Sequence, residues 1–213
     1  MKTVLGILFL GLTTFGAIAQ EDVKAKGILD KVSKLTKTYK TITVDFSMVI
    51  ISPEGSPIKQ KGKAFMKGEK YFLSLPGQDV FCDGKTISTY IKDDNECYVS
   101  DVEESESDVL QPSQLLIIWE KGFTYKYSKE LEFAGKKVHE ILLYPKDTKN
   151  SKYHTIVIRI DKAKNEVVYA HIKGKDGVHM KYTLSKLIKN TTITDAKFVF
   201  NKAKHPGVEV TEE

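Results

Sequence analysis

The sequence predicts a mainly β (α+β) fold, in which an antiparallel sheet of roughly eleven strands curls behind one N-terminal helix. Three observations lead to this prediction. Apolar and polar residues alternate in short runs through most of the chain, which is the period of half-buried strands. Short turn clusters separate these runs, and such connections join antiparallel neighbours. One run with helical spacing precedes them all.

Residues 1–19 have the pattern of a cleaved secretory signal. Lys2 is followed by an apolar run over 4–15, and Ala17-Ile18-Ala19 provides the small residues of a cleavage site. The run is shorter than the roughly 20 residues that a membrane-spanning helix needs. Because Gln20, and not the Cys of a bacterial lipoprotein, follows the predicted cut, we expect an exported, unlipidated protein.

The remaining residues, 20–213, have a length typical of one domain. The whole chain of 213 residues has a formal charge of +5, and removal of Lys2 with the signal leaves +4. This charge is weak and dispersed, which argues against a nucleic-acid-binding protein. It is compatible with transient contact with an anionic membrane surface.

The helical run covers residues 22–39. Its apolar residues recur every three or four positions and so occupy one face, whereas lysines occupy most of the rest. This pattern predicts an amphipathic helix with a solvated lysine face. The apolar members are Ala25, Ile28, Leu29, Val32, Leu35 and Tyr39.

Strands follow in order along the chain. The first is predicted over 42–50, where apolar Ile42, Val44 and Phe46 alternate with polar residues. Asp83-Gly84 and Asp176-Gly177 predict tight turns. The remaining alternating runs predict strands at 58–66, 70–75, 78–82, 86–91, 96–101, 123–133, 137–144, 153–160, 166–173, 177–189 and 198–200.

An interruption separates the two groups of strands. It begins with acidic residues between 103 and 108 and ends in Leu115-Leu116-Ile117-Ile118-Trp119, which contains the only tryptophan of the chain. Pro112 is typical of the first turn of a helix, so we favour a helix here. The two β-branched residues of this short run leave a strand possible.

Two cysteines, Cys82 and Cys97, invite a disulfide in an oxidising compartment. In the predicted meander a whole strand lies between them. Two strand spacings are about 9.5 Å, whereas the Cα atoms of a disulfide lie within about 7 Å. The sequence therefore predicts two separate, largely buried thiols.

No pattern in the sequence supports catalysis. The chain lacks G-x-S-x-G, H-E-x-x-H and paired Cys motifs, and its five histidines are scattered. His171 and His179 flank a predicted turn and could form half a metal site, but no third ligand is evident. We therefore predict a protein that is not an enzyme and has no metal or cofactor.

The concave face of a curled sheet offers two interpretations. The pattern alone favours a closed core, as in any domain in which a helix covers a sheet. The alternative is that the helical segments form a lid over a cavity for an apolar ligand. The predicted cavity residues are large and apolar: Phe46, Met48, Ile50, Phe65, Tyr71, Leu73, Leu116, Trp119, Ile158, Met180 and Tyr182.

Four short motifs, in this order, bear on the choice. They are Leu29-Asp30-Lys31-Val32-Ser33 on the helix, Asp83-Gly84-Lys85-Thr86 at a turn with Tyr90 after it, Ala196-Lys197-Phe198-Val199-Phe200, and Pro206-Gly207-Val208-Glu209-Val210. With the order of signal, lone helix, strands, helical interruption and strands, they make the chain resemble the LolA family of periplasmic outer-membrane lipoprotein carriers, as a divergent member.

The resemblance implies an incomplete antiparallel β-barrel with a helical lid over a hydrophobic cavity. It also implies a monomeric periplasmic carrier that takes the acyl chains of lipoproteins from an inner-membrane ABC transporter complex to an outer-membrane acceptor. A binding module or sensor for another lipid or amphiphile is the alternative on the same fold. One departure is clear, since familiar members have Arg-Pro, with the Arg contacting the lid, where this chain has Gly68-Glu69.

Overall fold

The computed structural model describes residues 22–102 and 116–212. The predicted secretory signal, the acidic residues between 103 and 108, Pro112 and Leu115 lie outside the described residues.

The described residues form one α-helix and twelve strands, and the predicted strands of the sequence are found with boundaries shifted by at most two residues, apart from the run at 198–200. The helix α1 spans Val23–Thr36. The strands are β1 Ile42–Ile51, β2 Ile58–Lys67, β3 Lys70–Ser74, β4 Gln78–Cys82, β5 Thr86–Ile91, β6 Glu96–Asp101, β7 Phe123–Phe133, β8 Lys136–Pro145, β9 Tyr153–Asp161, β10 Glu166–Gly174, β11 His179–Lys189 and β12 Glu209–Glu212.

All twelve strands belong to one curved, open sheet, which confirms the predicted mainly β fold with an incomplete barrel and a helix. Their order is β12-β6-β5-β4-β3-β2-β1-β11-β10-β9-β8-β7. The sheet therefore consists of two meanders that meet where β1 pairs with β11. After β6 the chain resumes at β7, on the far edge of the sheet.

The end of the chain differs from the sequence prediction. Instead of a strand at 198–200, a 3-10 helix covers Asp195–Phe198, and the Phe198 side chain is completely buried. This 3-10 helix packs against β3 and β4 instead of extending the sheet. The last strand, β12, pairs in parallel with β6, which the predicted antiparallel meander did not include.

The helix predicted from Pro112 onward lies partly outside the described residues, and its described end is not α-helical. Leu116 and Ile117 lie in a turn, and Ile118–Glu120 forms a 3-10 helix. Only Lys121 and Gly122 separate this 3-10 helix from β7.

The helix α1 begins at the N-cap Asp22, whose carboxylate accepts a hydrogen bond from the backbone N–H of Ala25. Its apolar stripe buries Ala25, Leu29 and Val32 against the sheet. None of the described helices is long and apolar enough to cross a membrane.

The side of the sheet that packs against α1 is called the inner face here, and the opposite side the outer face. Ile42, Val44, Phe46 and Met48 of β1 point to the inner face and belong to the same core cluster as the helix. Residues 190–208, between β11 and β12, are called the C-terminal segment. On the outer face the tilted rings of Phe72 and Phe81 are in contact, and the Phe81 ring contacts Phe200 of this segment. The C-terminal segment thus covers part of the outer face.

Cys82 and Cys97 are both buried and free, as predicted. Cys82 pairs with Ile87 of β5, and Cys97 pairs with Tyr90 of the same strand. The intervening strand β5 keeps the two thiols apart.

Candidate functional site

Most of the predicted cavity residues share the inner face. Phe46, Met48 and Ile50 of β1 lie opposite Leu184, Tyr182 and Met180 of β11. Register places three further sheet candidates on the same face, namely Tyr71 and Leu73 on β3 and Ile158 on β9. Leu116 and Trp119 join the same core cluster from the segment before β7.

Phe65 is the exception, and its assignment to this face is wrong. It pairs with Thr43 and Phe72 and lies on the outer face, where the Lys197 ammonium is 4.7 Å from the centre of its ring. Alternation on β2 alone does not distinguish the faces, because apolar Ala64, Phe65 and Met66 are consecutive.

The inner face is closed over one half of the sheet. Side chains of β8 and β9 beneath α1 have no solvent exposure, Ile158 among them: Ile141, Leu143, Ile156, Ile158 and Ile160. Leu116 and Trp119 are buried as well. This half is a packed core, as the simpler interpretation of the sequence predicted.

Elsewhere the inner face is only partly covered. An inner strip, defined as Ile50, Leu73, Val80, Met180 and Leu184, packs against the core but is only half buried. It lies on β1, β3, β4 and β11. Apolar side chains that remain partly accessible on a concave surface are suited to bind an apolar ligand.

A groove of about 700 Å³ lies where β3 separates from β2. The strand β2 continues to Ile58, but β3 pairs with it only from Lys63 onward. The lining residues are Asp45, Phe46, Ser47, Lys61, Gly62, Lys63, Ser74, Leu75, Pro76, Lys92 and Ser185.

Gly62 is essential to the shape of this groove. A Cβ atom on Gly62 would lie 2.5 Å from Cζ of Phe46 and 2.8 Å from Cδ2 of Leu75. Both distances are far below van der Waals contact, so only glycine allows these two side chains to cross β2 here.

The groove has a charged wall that the sequence analysis did not single out. Lys63 Nζ is 3.3 Å from Oδ1 of Asp45, and Lys92 Nζ is 2.8 Å from Oδ1 of Asp79. Lys61 is exposed beside them. The alternating lysines of Ile58-Lys59-Gln60-Lys61-Gly62-Lys63 are the signal that could have identified this wall.

The covering of the inner face is held by polar contacts. Trp119 Nε1 donates a hydrogen bond of 2.9 Å to Oγ of Ser33, and Lys37 Nζ is 2.7 Å from Oε1 of Glu120. The hydrogen bond from the Lys37 ammonium holds the pKa of the Glu120 carboxyl below its usual range. These contacts join α1 to the segment before β7, while Gly68-Glu69 forms the exposed turn between β2 and β3.

The two histidines at the β10–β11 turn do meet. Nε2 of His171 is 3.2 Å from Nδ1 of His179, although His171 pairs with Lys181 in the ladder and His179 with Lys173. Burial lowers the pKa of His171 to about 4, and the neighbouring Lys181 adds to the effect. The described residues contain no group of three His, Cys, Asp or Glu side chains able to hold a metal ion.

Two solved structures, with TM-scores of 0.59 and 0.50, support the fold. An uncharacterized conserved protein from Thermus thermophilus has a TM-score of 0.59 at 11% identity, covering 89% of this chain and 99% of that chain. A DUF1329 family protein from Desulfovibrio piger has a TM-score of 0.50 at 14% identity, covering 84% and 98%. A LolA superfamily protein from Nitrosomonas europaea has a TM-score of 0.43 at 10% identity, covering 83% and 97%.

Comparison of sequences gives the family. None of the curated proteins matches the chain significantly. The profile of the family described as outer membrane lipoprotein carrier protein LolA matches residues 37–201, from the end of α1 to the C-terminal segment. This match covers well over half of the chain and includes eleven of the twelve strands. The chain therefore belongs to the LolA family of outer membrane lipoprotein carrier proteins.

Proposed function

We propose that this protein is a non-enzymatic periplasmic carrier, which binds the acyl chains of lipoproteins on its inner face and shuttles them from the inner to the outer membrane. Membership of the LolA family supports a lipoprotein- or lipid-binding carrier. The observation that favours the inner face as the binding surface is the half-buried inner strip beside the groove.

The physical task of such a carrier is to shield hydrocarbon from water. Burial of one methylene group contributes about 0.8 kcal/mol, so exposure of a chain of roughly fifteen carbons costs about 12 kcal/mol. A carrier must offset this cost and still release its cargo. The inner strip suits both needs, because its contacts are apolar and weakly directional and because Met180 is flexible.

The proposed binding surface contains fewer residues than the cavity predicted from the sequence. Phe46, Met48, Tyr71 and Tyr182 border the inner strip and would become contacts once cargo displaces their neighbours. Leu116, Trp119 and Ile158 would form the closed wall behind it.

The partners proposed here are those that the resemblance to the family implies. A carrier of this kind receives lipoproteins from an inner-membrane ABC transporter complex and delivers them to an outer-membrane acceptor, and we expect it to act as a monomer. A binding module or sensor for another lipid or amphiphile is the second candidate, since the same strip would accept any hydrocarbon chain.

The experiment is identification of the cargo. We would purify the protein from the envelope of its own cells, extract it, and measure the extract by mass spectrometry. The purified protein would then be offered a synthetic triacylated lipopeptide and a diacyl phospholipid. Bound triacylated lipoprotein supports the carrier, whereas phospholipid alone supports the second candidate. Absence of any bound amphiphile would refute both.

Paired variants locate the binding surface. Ile50→Gln with Met180→Gln changes two residues that face each other on the inner strip. The matched control is Val49→Gln with Lys181→Gln, the adjacent register pair on the outer face of the same strands. We expect the first pair to weaken lipopeptide binding at least tenfold and the control to leave it unchanged. Equal effects of the two pairs would argue against the inner strip.

A further inference from the structure

We propose that the outer face of four adjacent strands, β2, β1, β11 and β10, binds an anionic membrane surface through a patch of lysines. This patch is called the outer basic patch and consists of Lys59, Lys61, Lys63, Lys173, Lys181 and Lys186. The inference concerns where the protein docks, and it does not depend on which amphiphile the inner face carries.

The strand order gathers positive charge that is dispersed in the sequence. The β1–β2 and β10–β11 hairpins are far apart in the chain but adjacent in the sheet. Together these four strands contain eight lysines and two carboxylates. Both carboxylates already face a lysine, since Asp45 Oδ1 is 3.3 Å from Nζ of Lys63 and Glu166 Oε1 is 2.5 Å from Nζ of Lys189. The outer basic patch with Asp45 has a net charge of +5, which equals the formal charge of the whole chain.

The register places these lysines on one face. Val49 of β1 is flanked by its two register partners, Lys59 of β2 and Lys181 of β11. Val49 alternates with the inner-face residues Met48 and Ile50, so it points to the outer face together with both lysines. The other four lysines also have outer-face partners: Lys61 pairs with Ser47, Lys63 and Lys186 pair with Asp45, and Lys173 pairs with His179.

The outer basic patch is compact and accessible. It spans three strand spacings, about 14 Å, across the sheet, and about 13 Å along β2. Four of its lysines are exposed, whereas Lys173 and Lys181 are half-buried. The 3-10 helix of the C-terminal segment contacts β3 and β4, beside the patch. Neighbouring lysines lie within about 10 Å of each other, close to the Debye length of about 8 Å at physiological salt, so their charges act together on an approaching surface.

His171 reports the positive potential at one edge of this patch. It pairs with Lys181 in the ladder between β10 and β11. Burial is the main cause of its lowered pKa, and the nearby Lys181, His179 and Lys173 lower that pKa further. Positive neighbours therefore dominate the electrostatic environment at this point of the outer face.

The chemistry of the patch favours a membrane over an acidic protein. The cores of protein interfaces are depleted in lysine and enriched in aromatic residues, methionine and arginine. The patch contains lysines alone, and their compact, strongly hydrated ammonium groups suit a diffuse layer of charge. Arg159, the only arginine of the chain, lies against the ring of Tyr169 and pairs with Glu140 at 3.0 Å. Clusters of about four to eight basic residues are typical of proteins that bind anionic lipid surfaces.

Docking through the outer face leaves the inner face free. The helix α1 and the inner strip lie on the opposite side of the sheet. Each lysine near an anionic lipid surface contributes about fivefold in affinity, and salt screens this attraction, so the docking is reversible. A carrier held in this way stays near a membrane and can still exchange its cargo.

The test compares vesicles that differ in net charge. Cosedimentation of the purified protein would be measured with phosphatidylcholine vesicles and with vesicles in which about one third of the lipid is phosphatidylglycerol. Both lipids contain a phosphate, so the comparison isolates the net charge of the surface. We expect about tenfold tighter binding to the anionic vesicles. This preference should disappear in about 1 M salt, where the Debye length is about 3 Å.

Paired variants make the test specific. Lys59→Gln with Lys181→Gln should weaken binding to anionic vesicles by about tenfold or more and leave lipopeptide binding unchanged. Lys31→Gln with Lys34→Gln is the matched control, because it removes the same charge from exposed positions of α1, on the inner-face side. A circular dichroism spectrum identical to that of the unsubstituted protein shows that each variant folds.

A second control excludes binding of vesicle lipid on the inner face. Ile50→Gln with Met180→Gln changes the inner strip and should leave vesicle binding unchanged. Loss of vesicle binding in this variant would show that vesicle lipid enters the inner strip, and it would refute docking through the outer basic patch.

The remaining outcomes separate the two proposals. Equal affinity for both kinds of vesicle, or equal losses in the two lysine pairs, refutes the membrane-docking surface and leaves the carrier proposal intact. Soluble polyglutamate that binds as tightly as the anionic vesicles at equal charge would indicate an acidic protein as the partner and would also refute it. Vesicle binding that depends on Lys59 and Lys181, in a protein that binds no lipopeptide or other amphiphile, supports the docking surface and refutes the carrier.

Discussion

The indole Nε1 of Trp119 donates a hydrogen bond across 2.9 Å to the hydroxyl oxygen of Ser33, and both side chains are buried. The two residues are 86 positions apart in the sequence. This bond joins α1 to the segment that enters β7, so it links the helix to one edge of the sheet.

Ser33→Ala tests the importance of this bond. The substitution leaves the indole N–H buried without an acceptor, which costs about 1–3 kcal/mol of the free energy of unfolding. Trp119 is the only tryptophan of the chain, so its fluorescence during urea unfolding reports on this site directly. Ser56→Ala, in the exposed loop between β1 and β2, is the control and should change the free energy of unfolding by less than about 0.5 kcal/mol. A similar loss in both variants would contradict the prediction.

Asp22 has two structural roles at the start of α1. One carboxylate oxygen accepts from the N–H of Ala25 at 3.0 Å, and the other accepts from the N–H of Tyr127 on β7 at 2.8 Å. These hydrogen bonds lower the pKa of the Asp22 carboxyl. We expect Asp22→Ala to reduce the free energy of unfolding by about 1–2 kcal/mol and to accelerate amide hydrogen exchange at Tyr127.

Asp30→Ala is the control for this change, because Asp30 is an exposed residue of α1 whose ion pair with Lys26 stays within the helix. We expect an effect below about 0.5 kcal/mol. Unchanged exchange at Tyr127 in Asp22→Ala would show that the contact with β7 is not maintained in solution.

Two glycines provide opposite predictions for the same substitution. Gly62→Ala should destabilise the protein by about 1–3 kcal/mol, because its Cβ would lie 2.5 Å from Cζ of Phe46 and 2.9 Å from the backbone oxygen of Ser74. Gly27→Ala should stabilise it by up to about 1 kcal/mol, because this position of α1 has open space around it. Thermal and urea unfolding of the two variants would measure both signs, and stabilisation by Gly62→Ala would overturn the described packing of Phe46.

His171 should make stability depend on pH. Its pKa is lowered to about 4 in the folded chain, chiefly by burial, from the usual value of 6.5. A histidine with a lowered pKa prefers the neutral form when folded, so its contribution is fully present above pH of about 6.5 and is lost as the pH falls towards 4.

The measurement is the free energy of unfolding at pH 7 and at pH 5. Between these values the loss in the unsubstituted protein should exceed the loss in His171→Gln, which cannot titrate. The comparison isolates the histidine, since the lowered pKa values of carboxyls such as Asp83 and Glu120 act at lower pH. Equal losses in the two proteins would show that His171 titrates normally.

The two thiols should be unreactive in the native state. Burial raises the pKa values of both Cys82 and Cys97, so the reactive thiolate is scarce as well as inaccessible. We expect Ellman's reagent at pH 8 to react rapidly with two thiols per chain in denaturant and only slowly with the native protein. Failure to titrate two thiols in denaturant under non-reducing conditions would indicate a disulfide and would contradict the strand order β4-β5-β6.

Local features of the fold could be predicted because they depend on neighbouring residues. The alternation of Ile42, Val44 and Phe46 defines a strand wherever that strand lies, and the apolar spacing of Ala25, Leu29 and Val32 defines the buried side of α1 in the same way. Turns at Asp83-Gly84 and Asp176-Gly177 were equally predictable, since both glycines have positive φ. The buried, separate cysteines followed from the order of the strands alone.

Errors arose where a distant contact decides the structure. Phe65 was assigned to the wrong face because three consecutive apolar residues hide the alternation, and the aromatic and lysine side chains that receive it come from β3 and from residue 197. Phe198 was expected in a strand, but the outer face of the sheet buries it instead. The groove was missed altogether, since it exists only because β3 stops short of the end of β2.

By itself, the sequence determined that this chain is a curved antiparallel sheet with one covering helix, and its motifs pointed to the LolA family. These properties are encoded in periodicity and turn residues, which act over a few positions. Tertiary structure alone decided that β1 pairs with β11, that one half of the inner face is a closed core while the inner strip remains half buried, and that Lys61 and Phe46 meet at one groove. Each of these depends on contacts between segments that are far apart in the sequence. A local pattern of residues does not show which of those contacts form.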